Sequence, residues 1–267
     1  MGEGQSTLPH CVIVLGMHRS GTSLVAGSLE AAGLYLGDVN HAATYNRKGN
    51  KENASIRDLN DRLLARADAS WIAPPTGQVE WSLEDEGCAR FFVEPYLECR
   101  RPWGFKDPRC IWTVEGWLRI VPGARLVGVF RHPSLVVRSL GARRGSLFVG
   151  REDALRLWCA YNAELFRLQR KYRFPLLHFD SAGVALVSLA AQLEHIGKEL
   201  GLAGDPCRFY RDELVHQTVA ESVESAPATT LYARLLAAWT RQAPDSLKKK
   251  RPPVGPNCKC LVVAHPR

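Results

Sequence analysis

The chain has 267 residues, enough to bury a sizeable core, and its 46% hydrophobic and 23% charged residues exclude a disordered or low-complexity polypeptide. Lys and Arg outnumber Asp and Glu 35 to 27, a net charge of +8 that favours anionic partners: a multiply charged nucleotide, an acidic polymer or nucleic acid. No apolar run approaches the about 18 residues of a membrane span, and MGEGQSTLPH has no basic start or apolar h-region, so the expectation is one soluble, cytoplasmic domain over 1–267 without stable membrane insertion.

The apolar run Cys11 to Leu15 predicts a strand buried on both faces of a parallel sheet, ended by Gly16. From Ser20 onward Leu24, Val25, Ser28 and Leu29 recur at helical spacing, so GMHRSGTS must be a tight turn from strand to helix. Gly16 and Gly21 allow the backbone to curl around an anion at the positive end of the helix dipole. Thr22 and Ser23 add hydroxyls, and Arg19 adds a fixed charge.

The polar stretch Asn40 to Asn53 predicts a loop at the mouth of the sheet, and Ile56, Leu59, Leu63 and Leu64 predict an amphipathic helix over 54–69. Pro74-Pro75 interrupts regular structure; 76–83 reads as a loop and 84–100 as a helix blemished by Pro95. WGFK at 103–106 predicts a brief central strand, succeeded by a helix over 111–120. RLVGVF at 125–130 is a second clear buried strand, turned by Arg131-His132-Pro133 into a helix over 134–144. The longest periodic segment is 152–172, with Leu155, Trp158, Cys159, Asn162, Leu165, Phe166 and Gln169 on one stripe.

A strand over 174–179, helices over 184–200 and 229–242, and the basic run Lys248 to Arg251 complete the chain. Eight cysteines, at 11, 88, 99, 110, 159, 207, 258 and 260, form no metal-type CxxC pair and read as reduced core thiols. Strands alternating with helices predict an α/β fold, a three-layer α/β/α sandwich with a central parallel sheet and binding loops at the strands' carboxyl ends.

GMHRSGTS has the spacing of a Walker A loop, but Thr22 stands where the nucleotide-hydrolase lysine should be. The sequence instead resembles sulfotransferases that use 3′-phosphoadenosine 5′-phosphosulfate, in the wording of a bacterial branch with a P-loop NTPase-like fold. Arg19-Ser20-Gly21-Thr22-Ser23 matches the family's 5′-phosphosulfate loop, while Arg131 and Ser139 match its 3′-phosphate pair. NRKGNKEN at 46–53 and WGFKDPR at 103–109 extend the resemblance over most of 11–203, whereas 204–267 is a less legible helical and basic segment.

The resemblance implies sulfuryl transfer from that donor to a hydroxyl of a carbohydrate, lipid or natural-product acceptor, with 3′-phosphoadenosine 5′-phosphate as product, no metal and no nucleic-acid partner. Arg19 would stabilise the leaving group, Lys106 is a second candidate cation for the sulfonate, and Glu52 is the first candidate base, with His41 second and His18 third. Asp107 would orient neighbouring groups. The rival readings are a P-loop small-molecule kinase and a nucleic-acid-binding module. The terminal VVAHP at 262–266 also resembles the opening of sugar N-deacetylases.

Overall fold

A computed structural model describes residues 11–42, 49–142, 148–179, 184–209 and 225–242. Four parallel strands, β1 (Cys11–Gly16), β2 (Trp103–Lys106), β3 (Arg125–Phe130) and β4 (Leu176–His178), form one sheet in the order β2-β1-β3-β4. Helices α1 (Thr22–Ala31) and α7 (Val184–Glu199) cover one face. On the other lie α2 (Ala54–Arg66), α3 (Leu83–Glu98), α4 (Cys110–Ile120), α5 (Pro133–Gly141), α6 (Arg151–Tyr172) and α8 (Ala226–Gln242). This is the expected three-layer α/β/α arrangement.

Strand alternation divides the core. Val12, Val14, Val127, Val129 and Leu177 pack with Leu24, Val25, Leu29 and Leu193. Cys11, Ile13, Leu15, Phe105 and Phe130 turn the other way onto Trp117, Trp158, Tyr161 and Leu165. All the strands are buried except Arg125, as a parallel sheet covered on both faces requires.

Three expectations are corrected. β2 is an edge strand rather than a central one; it is nonetheless buried because Tyr35 bridges its outer side, with Tyr35 N bonded to Pro102 O and Gly104 N to Tyr35 O, each at 3.0 Å. The buried face of α6 is broader than its predicted stripe and includes Ala154, Leu157, Tyr161, Glu164 and Leu168, because α6 is packed by α4, α5 and α8 as well as by the sheet. The helix expected over 84–100 forms as α3, with Pro95 inside it, and runs to Glu98 from a capping box formed by Ser82 and Asp85. Of the described cysteines Cys11 and Cys110 are buried thiols, but Cys99 is exposed.

The two most telling sequence turns leave adjacent strands at one rim. β1 and β3 pair in parallel up to Gly16 and Val129. After β1 the chain crosses to α1 on one face; after β3 it crosses to α5 on the other. Diverging connections open a crevice between neighbouring strand ends, the topological switch point at which open α/β sheets bind ligands.

Candidate functional site

The turn after β1 is built by backbone. Gly16 has φ +152, and a Cβ there would lie 2.4 Å from the Val129 carbonyl oxygen and 2.9 Å from the Thr22 methyl. Gly21, the N-cap of α1, has φ +94, and a Cβ there would lie 2.4 Å from the Phe179 ring. Arg19, between them, is also left-handed at φ +66. Among the described residues no side chain caps α1, so the amides of Thr22 and Ser23 are taken up neither by the helix nor by a cap. Ser20 Oγ is buried with no partner among the described residues. Uncapped amides, a buried unpartnered hydroxyl and glycines that keep the turn open fit a bound oxyanion. Thr22, in the Walker lysine position, is 4% exposed, with its methyl against Gly16.

The turn after β3 is built by side chains. His132 is the N-cap of α5, its ring accepting from Ser134 N, and Pro133 occupies the first helical turn. Arg131 is 7% exposed, its guanidinium 5.0 Å from the centre of the Phe179 ring. Its Nη1 donates to the Arg19 carbonyl at 3.4 Å. Arg19 Nε in turn donates to Ser139 Oγ at 2.7 Å. Residues matched separately in the sequence, 112 and 120 positions apart, thus meet at one point. Burial lowers the Arg19 pKa from its ordinary value, and burial followed by the Arg131 charge lowers that of His132 to about 4.

The loop before α2 brings the proposed base to the same rim. Asn40 Oδ1 accepts from Asn50 N at 3.1 Å and from Glu52 N at 3.3 Å, and Ser23 Oγ donates to Asn50 O at 3.0 Å, tying the loop to α1. The Ser23 hydroxyl proton therefore serves the loop in this structure. Glu52 Oε1 accepts from Lys106 Nζ at 2.6 Å, with the side chains 11% and 2% exposed. The first candidate base and the second candidate cation are each other's partners. Val14 pairs with Lys106 in the sheet, which sets this ion pair beside the strand that feeds the glycine turn.

His41 is exposed and its Nδ1 lies 2.8 Å from Lys51 Nζ, which pairs with Glu30 of α1 at 2.7 Å. Adjacent Lys51 and Glu52 thus reach different elements, and His41 goes with Lys51. The His18 ring packs against Trp71 and Tyr161, at centroid separations of 4.8 and 6.1 Å. Asp107 is buried, and its Oδ1 accepts from Arg109 N at 2.8 Å and Nη1 at 3.1 Å, while Arg109 Nε bonds Asp61 at 2.5 Å. Burial raises the Asp107 pKa from its ordinary value, opposed by the Arg109 charge.

Phe179 and Lys51 carry parts of this geometry that the sequence does not reveal. Phe179 follows β4 directly, and its position under Gly21 and Arg131 depends on β4 lying beside β3. Lys51 has φ +57 and is 4% exposed, a buried cation inside a polar loop. Residues 43–48, the tail of the expected helix at 143–144, the segment 180–183, the run 248–251 and the terminal VVAHP lie outside the described residues. Among the described residues no three His, Cys, Asp or Glu are grouped to hold a metal ion, and no helix is long and apolar enough to cross a membrane.

A family model described as "Sulfotransferase family" matches residues 9–179, well over half of the chain, and the protein belongs to that family. Among solved structures it is similar to the sulfotransferase domain of the Synechococcus PCC 7002 olefin synthase, at 17% identity, with a TM-score of 0.51 over 85% of this chain and 94% of that one. It also aligns, at 15% identity and a TM-score of 0.39, with the sulfotransferase STF1 from Mycobacterium tuberculosis H37Rv, over 91% of this chain and 76% of that one. No curated protein matches. Family membership gives the class of reaction, sulfuryl transfer; the first of these structures supports the fold.

Proposed function

We propose that this protein transfers a sulfuryl group from 3′-phosphoadenosine 5′-phosphosulfate to an acceptor hydroxyl on a carbohydrate, lipid or natural product. The observation that carries the reading is the Arg19 to Ser139 bond at 2.7 Å, which joins the glycine turn after β1 to the Arg131–Ser139 pair after β3. One nucleotide with phosphate at both ends of its ribose is the ligand that suits two adjoining oxyanion cradles.

That donor supplies a sulfuryl group on a phosphate leaving group, so the chain's task is positioning and charge stabilisation. The amides of the α1 amino end and Ser20 Oγ would hold the 5′-phosphate. Arg131 and Ser139 would grip the 3′-phosphate, a guanidinium being suited to a planar, bidentate hold on a group that does not react. Arg19 can shift from Ser139 towards the departing oxygen. Glu52 would accept the acceptor's hydroxyl proton. Protonating Glu52 removes the charge that Lys106 faces in the 2.6 Å ion pair, leaving the ammonium to balance negative charge on the sulfonate.

Titration calorimetry tests the donor assignment. The desulfated product, 3′-phosphoadenosine 5′-phosphate, should bind saturably and without Mg²⁺. ATP binding that requires Mg²⁺, with no heat from the bisphosphate, would instead favour the kinase. Glu52→Gln should keep bisphosphate affinity and lower turnover by ~10²–10⁴, the usual contribution of a general base; full activity would remove Glu52 from that role.

A further inference from the structure

At the other rim of the sheet, the carboxyl ends of α6 and α8 converge on a cleft of about 460 Å³ lined by Phe166, Gln169, Arg170, Arg173, Arg241 and Gln242. Its volume lies within the ~300–1,000 Å³ typical of small-molecule sites. The two glutamines are already committed: Gln242 Oε1 accepts from Leu176 N at 2.8 Å, its Nε2 donates to Phe174 O at 3.1 Å, and Gln169 Nε2 donates to the same oxygen at 3.5 Å. They fasten α6 and α8 to the start of β4 and make a fixed floor. The cleft's remaining polar donors are guanidiniums.

Their neighbours on α6 show what is unusual. Arg167 bonds Glu164 at 2.8 Å and Glu115 at 3.2 Å, and Lys171 bonds Glu115 at 3.0 Å. Arg170, Arg173 and Arg241 make no carboxylate contact among the described residues, and all three are exposed. Compensation of two helix dipoles would account for Arg170 and Arg241 singly, since cations are favoured in a last turn. It does not account for Arg173. That residue follows α6 with φ +56, in the left-handed position usually given to glycine.

We propose that this cleft is a second, non-catalytic anion site that takes a phosphate- or sulfate-bearing small molecule through Arg170, Arg173 and Arg241. Paired guanidinium forks match the oxygens of tetrahedral oxyanions, and three of them suit a multivalent group better than a lone carboxylate. The site is separate from the one at the strands' carboxyl ends. Trp158, whose Nε1 donates to the Arg131 carbonyl at 3.1 Å, lies twelve residues before Arg170, about 18 Å along the same helix. α6 therefore joins the two sites as one rigid element.

The test is titration calorimetry of the full chain with inorganic pyrophosphate and, in parallel, inorganic sulfate. The double variant R170Q/R241Q should lose one equivalent of bound anion or bind it at least tenfold more weakly, while K171Q, whose ammonium is paired with Glu115, should match the wild type. Tighter pyrophosphate binding would identify a diphosphate as the recognised group, and tighter sulfate binding a sulfate ester. Arg173→Gly supplies the control for folding: it should raise the melting temperature by relieving the left-handed arginine, yet weaken anion binding tenfold. Identical isotherms in the wild type and R170Q/R241Q, or an Arg173→Gly protein that binds as well as wild type, would overturn the proposal.

Discussion

The turn after β1 and the turn after β3 lie side by side at one rim, but they are made of different material. The first is backbone, with Gly16 and Gly21 at φ +152 and +94 and a helix that no described side chain caps. The second is side chain: Arg131 at 7% exposure, Ser139 at 6%, and a histidine N-cap. A backbone cradle fails when something is added to it, and a side-chain cradle fails when something is removed. Substitutions at the two turns should therefore differ in kind as well as in size.

The largest effect is expected at Gly16. A methyl there meets the Val129 carbonyl oxygen at 2.4 Å, and neither partner is a flexible side chain end. Overpacking and left-handed strain each cost about 1–3 kcal/mol. Gly16→Ala should therefore lose about 2–6 kcal/mol of stability in denaturant melts, together with binding of the bisphosphate. A variant that melts as wild type would show that the strands can part at this point and that the cradle is not rigid.

Arg131→Ala removes a donor without adding a clash. It should cost about 1.5–3 kcal/mol of bisphosphate affinity, the usual worth of a hydrogen bond to a charged group, with a smaller effect on the chemical step. An equal loss of affinity for a ligand lacking the 3′-phosphate would detach Arg131 from that phosphate and erase the distinction between the cradles.

The difference in material also explains what could be read in advance. Glycine spacing and an apolar strand are local signals, so GMHRSGTS reveals a βα turn from the sequence alone. Arg131 and Ser139, eight residues apart and about two turns into α5, are marked out by the resemblance to the family's 3′-phosphate pair and not by local spacing. What is not legible depends on sheet order. Phe179 becomes part of the site only because β4 pairs with β3, and WGFK, apolar and flanked by Pro102 and Pro108, reads as central although β2 lies at the edge with Tyr35 bridging its outer side. The Lys106–Glu52 pair spans 54 positions. Nothing local to either residue announces the other. The α6 stripe is offset because several neighbours, not one sheet, bury that helix.

Acid should act on the turn after β3. The β3 side holds His132, its pKa lowered to about 4 by burial and by Arg131, and His178, lowered to about 3 by burial and by His132. His178 also bonds Tyr232 and stacks on Phe130. Both histidines take up protons in the unfolded chain near 6.5 but in the folded chain only below these values. The unfolded state thus binds more protons as pH falls below about 6.5, and stability is lost from there down towards 4 for His132 and 3 for His178, by up to about 1.4 kcal/mol per pH unit for each group. Melting temperatures should fall over this window in the wild type. His132→Asn, which keeps a capping side chain, should shallow the slope; an unchanged slope would place the acid sensitivity elsewhere.

Ser139→Ala is the smallest change and the sharpest on the comparison. The hydroxyl accepts from Arg19 Nε at 2.7 Å, so it is the point where the backbone-built turn is held to the side-chain-built one. As one hydrogen bond it should cost about 0.5–1.5 kcal/mol. How that loss divides is informative. If Ser139 serves mainly as a phosphate donor, the cost falls on bisphosphate affinity and the melting temperature is unchanged. If it serves mainly to park Arg19, the free protein becomes less stable, while binding, which would otherwise have to break the Arg19–Ser139 bond, is spared or improved. Measuring affinity and melting temperature on the same preparation separates the two, because the parked arginine predicts effects of opposite direction and the phosphate donor does not.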